Sequence, residues 1–317
     1  MEENKELDVQ TEDLSVQNPI RTFLSDLLVG ACIGIAFIIP GFSGGSVAAI
    51  LGVYEKMVNA VANIFKEMKK SILTLLPFGL GLVLGAASLL YPIEFMLSRF
   101  PLPTVSIFVG LAIGGMPSVT KKLPGGLKRA EIVSLTVSIA FAAMLAFIPI
   151  GTDVDLLSLS LGGYLLLFVA GVAASCALVV PGISGSMLLL ILGYYNPIIN
   201  LITNHFFMLK DLGKCILVLG LCGLGIAVGF FIISLIMKHL LAKHPRKTYA
   251  AIVGFIIGSL PTVYISTMKS AGMITQTLGV ISLPTSAMHY AICVFLLIAG
   301  ACASLSFAAL ATKRKVE

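Results

Sequence analysis

The chain has 317 residues, of which 58% are hydrophobic and 11% charged, and its mean hydropathy is +1.03. Soluble domains carry about 25% charged residues, so this composition excludes an ordinary soluble globular protein and implies an all-α polytopic membrane protein. The formal net charge of +6 reads as a positive-inside bias with some attraction to anionic lipid, and no nucleic-acid partner is expected.

Residues 1–20 are acidic and polar, with no basic n-region and no small-residue cleavage site after the first apolar run. They read as a disordered cytoplasmic tail rather than a cleaved signal peptide. Apolar runs then lie near 23–39, 47–65, 72–97, 104–119, 132–150, 163–180, 187–202, 215–241, 249–266 and 287–311. Several are short for a bilayer. Leu24–Ile39 would rise about 24 Å against a hydrocarbon core of about 30 Å. Short, broken segments suggest re-entrant helical hairpins, because irregular backbone at membrane depth is tolerated only where protein or a cavity surrounds it.

The break itself is written twice. "IIPGFSGGSVAAILGVYE" occupies 38–55 and "VVPGISGSMLLLILGYYN" occupies 179–196. Aligning Pro40–Phe65 with Pro181–Phe206 gives 11 identities in 26 positions, among them Tyr54/Tyr195 and Asn59/Asn200. Further on, "GLGLVLG" (79–85) matches "GLGIAVG" (223–229), and "VGLAIGGMPSV" (109–119) matches "VGFIIGSLPTV" (253–263). The glycines and prolines stay in step across two halves. These are a first transmembrane repeat over 21–150 and a second over 163–317, joined by an external linker at 151–162. Five segments per half is an odd number, so the second half enters the membrane from the opposite side, giving an inverted-topology repeat. Basic residues agree. Clusters at Arg21, Lys66/Lys69/Lys70, Lys121/Lys122/Lys128/Arg129, Lys238/Lys243/Arg246/Lys247 and Lys313/Arg314/Lys315 fall on one side and place both termini in the cytoplasm.

Proline ends the preceding helix, glycine permits turns and close backbone approach, and serine is a favoured N-cap. Each break therefore should place a helix N-terminus, with free N–H groups and a partial positive charge, inside the membrane. Pro40, Gly41, Ser43, Gly44, Gly45 and Ser46 form one tip; Pro181, Gly182, Ser184, Gly185 and Ser186 form the other. Meeting near the midplane, they would make an anion pocket without a full positive charge. The competing reading is a small-residue helix-packing notch. Glu55 and Lys56 would stand about 18 Å up a continuous helix from Ser43, as interface anchors or as a gate or proton-coupling pair. Arg99, on the sparsely basic side, either snorkels to headgroups or captures an incoming phosphate. Tyr54, Tyr195, Asn59 and Asn200 either line the cavity or pack. The six cysteines (Cys32, Cys176, Cys215, Cys222, Cys293 and Cys302) all sit in apolar runs, and the four histidines are scattered. No disulfide framework, metal site or cofactor is expected.

These paired PGxSG elements resemble those of the PopT-like polyprenyl-phosphate transporters, long described as a domain of unknown function. The resemblance covers roughly 20–312. It implies a flippase for the bacterial cytoplasmic membrane that recycles undecaprenyl phosphate, returning it from the outer to the cytoplasmic leaflet for cell-envelope synthesis. It also implies that the two breaks and Glu55 carry the function. The family's usual residues at the positions of Ser46 and Phe42 are Thr and Val; Ser keeps the hydroxyl. Two other classes stay open on the residues alone. One is a channel or carrier for a small anion or other solute. The other is an intramembrane lipid phosphatase or serine hydrolase, since Gly41-Phe42-Ser43-Gly44-Gly45 matches G-x-S-x-G. The second lacks the strand-turn-helix context of a nucleophile elbow, and only the fold could bring His205 or His289 near. The chain therefore reads as a non-enzyme whose partners are the lipid and the bilayer. Coupling to H⁺ or Na⁺ and oligomeric state are not legible.

Overall fold

The computed structural model describes residues 19–38, 43–145, 147–149, 151–182, 185–206, 211–273 and 286–313. Among the expected site residues, Pro40, Gly41 and Ser184 lie outside the described residues. The described chain is helical, with no strand. Its first part holds α1 (Pro19–Ile38), α2 (Gly44–Ile50), α3 (Tyr54–Ala62), α4 (Met68–Arg99), α5 (Pro101–Thr120) and α6 (Arg129–Leu145). The same succession follows in α7 (Leu161–Val179), α8 (Gly185–Ile191), α9 (Tyr195–Asn200, continued by a π-helical turn at Leu201–Phe206), α10 (Leu212–Lys243), α11 (Pro245–Ser270) and α12 (Ala287–Lys313).

The runs expected at 47–65 and 187–202 each consist of two short helices, and the reason is glycine. Gly52 has φ +74° and Gly193 φ +75°. The N–H groups of Gly52 and Val53 donate to the carbonyls of Ala49 and Ala48 at 3.2 and 3.0 Å, and those of Gly193 and Tyr194 to Leu190 and Leu189 at 3.1 and 2.9 Å. Both are Schellman stops, which terminate a helix at a left-handed residue that glycine adopts without a Cβ penalty. Glu55 consequently does not continue the helix that begins at Gly44; it sits in the first turn of α3.

The long helices pair in a matching pattern: α1 on α4, α7 on α10, α5 on α12 and α11 on α6. Glycine makes each pairing close. A Cβ at Gly30 or Gly34 would run into the backbone of Phe78 or Leu82, and one at Gly225 into that of Phe168. Gly110 and Gly114 are pressed against Leu297 and Ala301, as Gly254 and Gly258 are against Leu135 and Ile139. Such small-residue seams let helices gain dispersion contact where lipid supplies no hydrophobic drive between them.

Among the described residues, five helices are long and apolar enough to cross a bilayer: Met68–Leu89, Pro101–Thr120, Leu212–Lys243, Pro245–Lys269 and Ala287–Ser306. Their outward faces are greasy. Leu80 and Val83 of α4, Leu217 and Leu224 of α10, and Val294 and Phe295 of α12 are all exposed, which water would penalise and lipid would not. The protein is a multi-pass membrane protein.

The loops after α3, α5 and α10 meet at one end of the bundle. Lys238 Nζ donates to Asn63 Oδ1 at 2.6 Å. Arg246 donates to both carboxylate oxygens of the buried Glu131 at 2.7 and 3.0 Å, and to the carbonyls of Pro124 and Gly126. At the other end, residues 151–160 strap the α8–α9 turn. Val154 N–H donates to Gly193 at 3.0 Å, and Lys214 Nζ to the Leu157 carbonyl at 3.1 Å. In this strap the Ser158 hydroxyl, helped by the Leu157 N–H, holds the Asp155 carboxyl below its ordinary range.

The Arg246 fork gives a sharp test. Arg246→Met leaves the buried Glu131 carboxylate without its partner, and the midpoint of thermal unfolding should fall clearly. In the double variant Arg246→Met/Glu131→Leu it should recover, because the stranded charge, not the missing attraction, is the larger penalty.

Candidate functional site

Ser43 holds the N-cap position of α2 with extended backbone (φ −108°, ψ 125°), but its hydroxyl makes no cap hydrogen bond. Its carbonyl accepts the N–H groups of Ser46 and Val47 at 3.0 and 3.3 Å. Gly44, Gly45 and Ser46 form the first turn of α2 and are buried. The N–H groups of Gly44 and Gly45, at the start of that turn, have no intrahelical acceptor. Two glycines there are poor helix formers, so what holds the turn is its burial against α1, α5 and α7.

Gly44 and Gly45 wall a cavity of roughly 120 Å³. The other walls are Ile33 (α1), Ala48 (α2), Tyr54, Met57 and Val58 (α3), Leu82 (α4), Val179 (α7), and Phe230 and Ser234 (α10). Both parts of the chain contribute. The lining is apolar apart from two side-chain hydroxyls. Tyr54 Oη and Ser234 Oγ are buried without a hydrogen-bond partner among the described residues, and so is Ser46 Oγ in α2. An unsatisfied buried hydroxyl is penalised by about 1–3 kcal/mol. Tyr54 and Ser234 are residues of the lining and Ser46 follows Gly45 in the same turn, so a polar ligand group would gain hydroxyl partners there once these side chains turn toward it. The cavity lies well inside the helices. Along their axes, Leu82 is about 21 Å from Met68 and Ser234 about 14 Å from Lys243.

The second break is built differently. Pro181 is fully buried, and Gly182, at φ +88°, is pressed against the backbone of Phe255 in α11. Gly185 and Ser186 are half-buried at the start of α8. Val179, two residues before Pro181, reaches the cavity, but no described residue from Pro181 onward up to α9 lines it. The first break shapes the cavity, and from the second half's break only the end of α7 that precedes it reaches the cavity.

The remaining expected residues divide. Tyr54 lines the cavity. Glu55 accepts a hydrogen bond from the Tyr249 hydroxyl of α11 and an ion pair from Lys122 at 3.5 Å, while Lys122 also lies 5.6 Å over the Tyr249 ring. Lys56 pairs with Asp26 of α1 at 2.5 Å and sits 5.3 Å over Phe78. Asn59 is exposed and Tyr195 half-buried. Asn200 ends α9, and its neighbour Asn196 donates to Asp153 of the strap at 3.2 Å. Arg99 is exposed at the end of α4, about 26 Å along the axis from Leu82, and takes no part in the cavity. Two residues were not anticipated, Ser234 and Tyr249. Ser234 is the only hydroxyl residue between Lys214 and Lys238, a signal that could have found it; for Tyr249 the sequence carries none. Among the described residues no group of three or more side chains could hold a metal ion.

Relatives bear on the same region. A family model described as undecaprenyl phosphate translocase-like matches residues 33–280. A protein of Staphylococcus aureus named polyprenyl-phosphate transporter is 28% identical over 249 residues, covering 75% of this chain and 85% of that one. A protein of Vibrio cholerae with the same name is 27% identical over 259 residues, covering 76% and 78%. No solved structure matches the chain. Because the family model spans well over half of the sequence and includes both Pro-Gly breaks, the chain belongs to the undecaprenyl phosphate translocase-like family.

Proposed function

We propose that this protein is a transporter that returns undecaprenyl phosphate or a related polyprenyl phosphate from the outer to the cytoplasmic leaflet of the bacterial cytoplasmic membrane, and that it is not an enzyme. The family match across both breaks carries this reading. The geometry at the first break supports it. A lipid phosphate must bring an anion past the bilayer centre, where a charged side chain costs at least about 2.5–3.5 kcal/mol. The buried first turn of α2 carries the N–H groups of Gly44 and Gly45 into the cavity wall, which Tyr54 and Ser234 share, and so offers donors at that depth while the apolar tail stays in lipid.

On this reading the two helix series are an inverted repeat, and the end holding Lys122, Lys238 and Arg246 faces the cytoplasm with both termini. The cavity opens alternately to the two sides. Glu55, bound to Tyr249 across the two series, belongs to the cytoplasmic gate and is the residue through which H⁺ would couple; Na⁺ coupling or passive exchange would leave Glu55 replaceable by Gln.

The test is leaflet exchange of fluorescent short-chain polyprenyl phosphate in proteoliposomes. Wild type should exceed empty vesicles. Ser46→Ala/Ser234→Ala should exchange at least about tenfold slower, since each hydrogen bond to a charged group is worth about 1.5–3 kcal/mol. Folded wild-type protein that exchanges no lipid phosphate, with and without pH and sodium gradients, would sink the proposal. Movement of a small anion in those vesicles would then favour a solute carrier.

A further inference from the structure

The two short-helix hairpins that follow the breaks are seated unequally. Helix α3 packs on α10, and two side-chain contacts fasten its far end. Lys238 Nζ donates to Asn63 Oδ1 at 2.6 Å, and the Phe65 and Phe231 rings meet edge to face at 4.9 Å. Helix α3 also buries Tyr54, Val58 and Val61. In the second series α9 buries none of its residues. Neither it nor its π-helical turn packs comparably on α4 among the described residues. Ala87, which stands in α4 where Phe231 stands in α10, is exposed.

The chain carries the parts for a second seating. Helices α4 and α10 are both 32 residues long. Their matched stretches, 79–85 and 223–229, align Glu94 with Lys238, each five residues before the end of its helix. The matched hairpins align Asn63 with Asn204 and Phe65 with Phe206. An asparagine amide accepts from an ammonium and donates to a carboxylate, so Asn204 suits Glu94 as Asn63 suits Lys238. Glu94 is the only acidic residue of α4, and an acidic residue in an apolar membrane helix marks a functional position. Asn204 falls within the π-helical turn Leu201–Phe206, a rare geometry that gathers at functional positions. Resting on the transporter and inverted-repeat reading above, we infer that Glu94 and Asn204 form the outer gate, and that this structure is the state closed at the Lys238 end and open at the Glu94 end. Transport exchanges the two seatings. Helix α3 leaves α10 as the π-helical turn closes on α4, and the Asn204–Glu94 pair replaces the Asn63–Lys238 pair.

Cross-linking of the full-length protein in proteoliposomes tests this, in a background with all six native cysteines replaced. Phe65→Cys/Phe231→Cys reads the seating present in this structure. Ala87→Cys/Phe206→Cys reads its counterpart, and both pairs leave Glu94 and Asn204 in place. A short bifunctional thiol reagent is expected to join each pair. Tyr249→Phe, which loosens the Lys238 end, should raise joining at 87/206 and lower it at 65/231 by up to about fivefold, the reach of one exposed polar link. Asn204→Asp sets two carboxylates against each other and should cut joining at 87/206 about fivefold. Adding Glu94→Lys to it should restore joining, which a merely structural lesion would not allow. Joining at 87/206 that never occurs, or that ignores Asn204→Asp, overturns the outer gate. Joining that rises at both pairs together in Tyr249→Phe does the same. Leaflet exchange of polyprenyl phosphate in the same vesicles decides the parent reading separately. Exchange without joining at 87/206 removes the gate and keeps the transporter; opposed joining of the two pairs without exchange keeps the gate and removes the lipid substrate.

Discussion

Gly85→Ala and Gly225→Ala are expected to cripple the folded protein, whereas Gly79→Ala and Gly223→Ala, in the same two motifs, are expected to leave it intact or slightly more stable. The contrast is useful because all four lie in the matched stretches 79–85 and 223–229 and look alike in sequence. A Cβ at Gly85 would lie 2.7 Å from the Ala31 carbonyl carbon, closer than real Cβ atoms come, and at Gly225 it would meet the backbone of Phe168. At Gly79 and Gly223 it would meet nothing within 4 Å. Backbone cannot swing aside as a long side chain can, so the α1–α4 or α7–α10 seam must part. Overpacking of this kind typically costs about 1–3 kcal/mol. A collision with backbone along a whole helix pair belongs at or above the upper end. At the open positions the only change is helix propensity, where alanine is favoured over glycine by up to about 1 kcal/mol. The midpoint of thermal unfolding of the purified protein reads the difference directly. A fall at Gly79 equal to that at Gly85 would mean that α4 does not present the face described.

That pattern also marks how far the sequence could be read. The helical class, the membrane setting and the doubled break follow from composition and from residues in step, because such features are local or periodic. The Schellman stops were equally local: "LGVY" and "LGYY" carry the glycine that ends α2 and α8, and reading through them turned two short helices into one long one. Which glycines press on a neighbour depends on helix rotation, and two glycines at i and i+2 in one run face different ways. The cavity depends on α10 arriving beside α2 and α3. No local signal reports that meeting, and Ser234 went unnoticed, its one mark being that it is a lone hydroxyl in an apolar run. The hydroxyl of Ser43 was expected as a cap, yet it makes no cap hydrogen bond, and the turn relies on the Ser43 carbonyl, which receives the N–H groups of Ser46 and Val47. The second break was ranked with the first by symmetry of text, and Arg99 was singled out by its place on the sparsely basic side. The structure treats the breaks unequally, because they meet different neighbours, and leaves Arg99 at the far end of α4.

Removing the cross-links that hold α3 should open the cavity from the end that carries Lys122 and Lys238. Helix α3 supplies Tyr54, Met57 and Val58 to the cavity wall, so ligand passing that way must displace it. Two polar links tie it to the second helix series: Tyr249 to Glu55 near its start and Lys238 to Asn63 at its end. Lys56 to Asp26 ties it to α1 instead. Glu55 is 46% exposed at its side chain, so screening limits each link to about 1 kcal/mol, roughly fivefold in an opening equilibrium. Tyr249→Phe and Lys238→Met should each raise the modification rate of a cysteine at Val58 by about that factor. The pair should raise it by about 25-fold if the links act independently. The experiment requires a background in which Cys32, Cys176, Cys215, Cys222, Cys293 and Cys302 are replaced, with a thiol reagent applied to permeabilised vesicles. Asn196→Ala, at the position that repeats Glu55, touches the strap at the opposite end and should leave the rate at Val58 unchanged. An unchanged rate in the Tyr249→Phe/Lys238→Met protein would mean that packing against α10, not the polar links, keeps α3 closed. An equal rise in Asn196→Ala would mean that the two ends open together, which alternating access forbids.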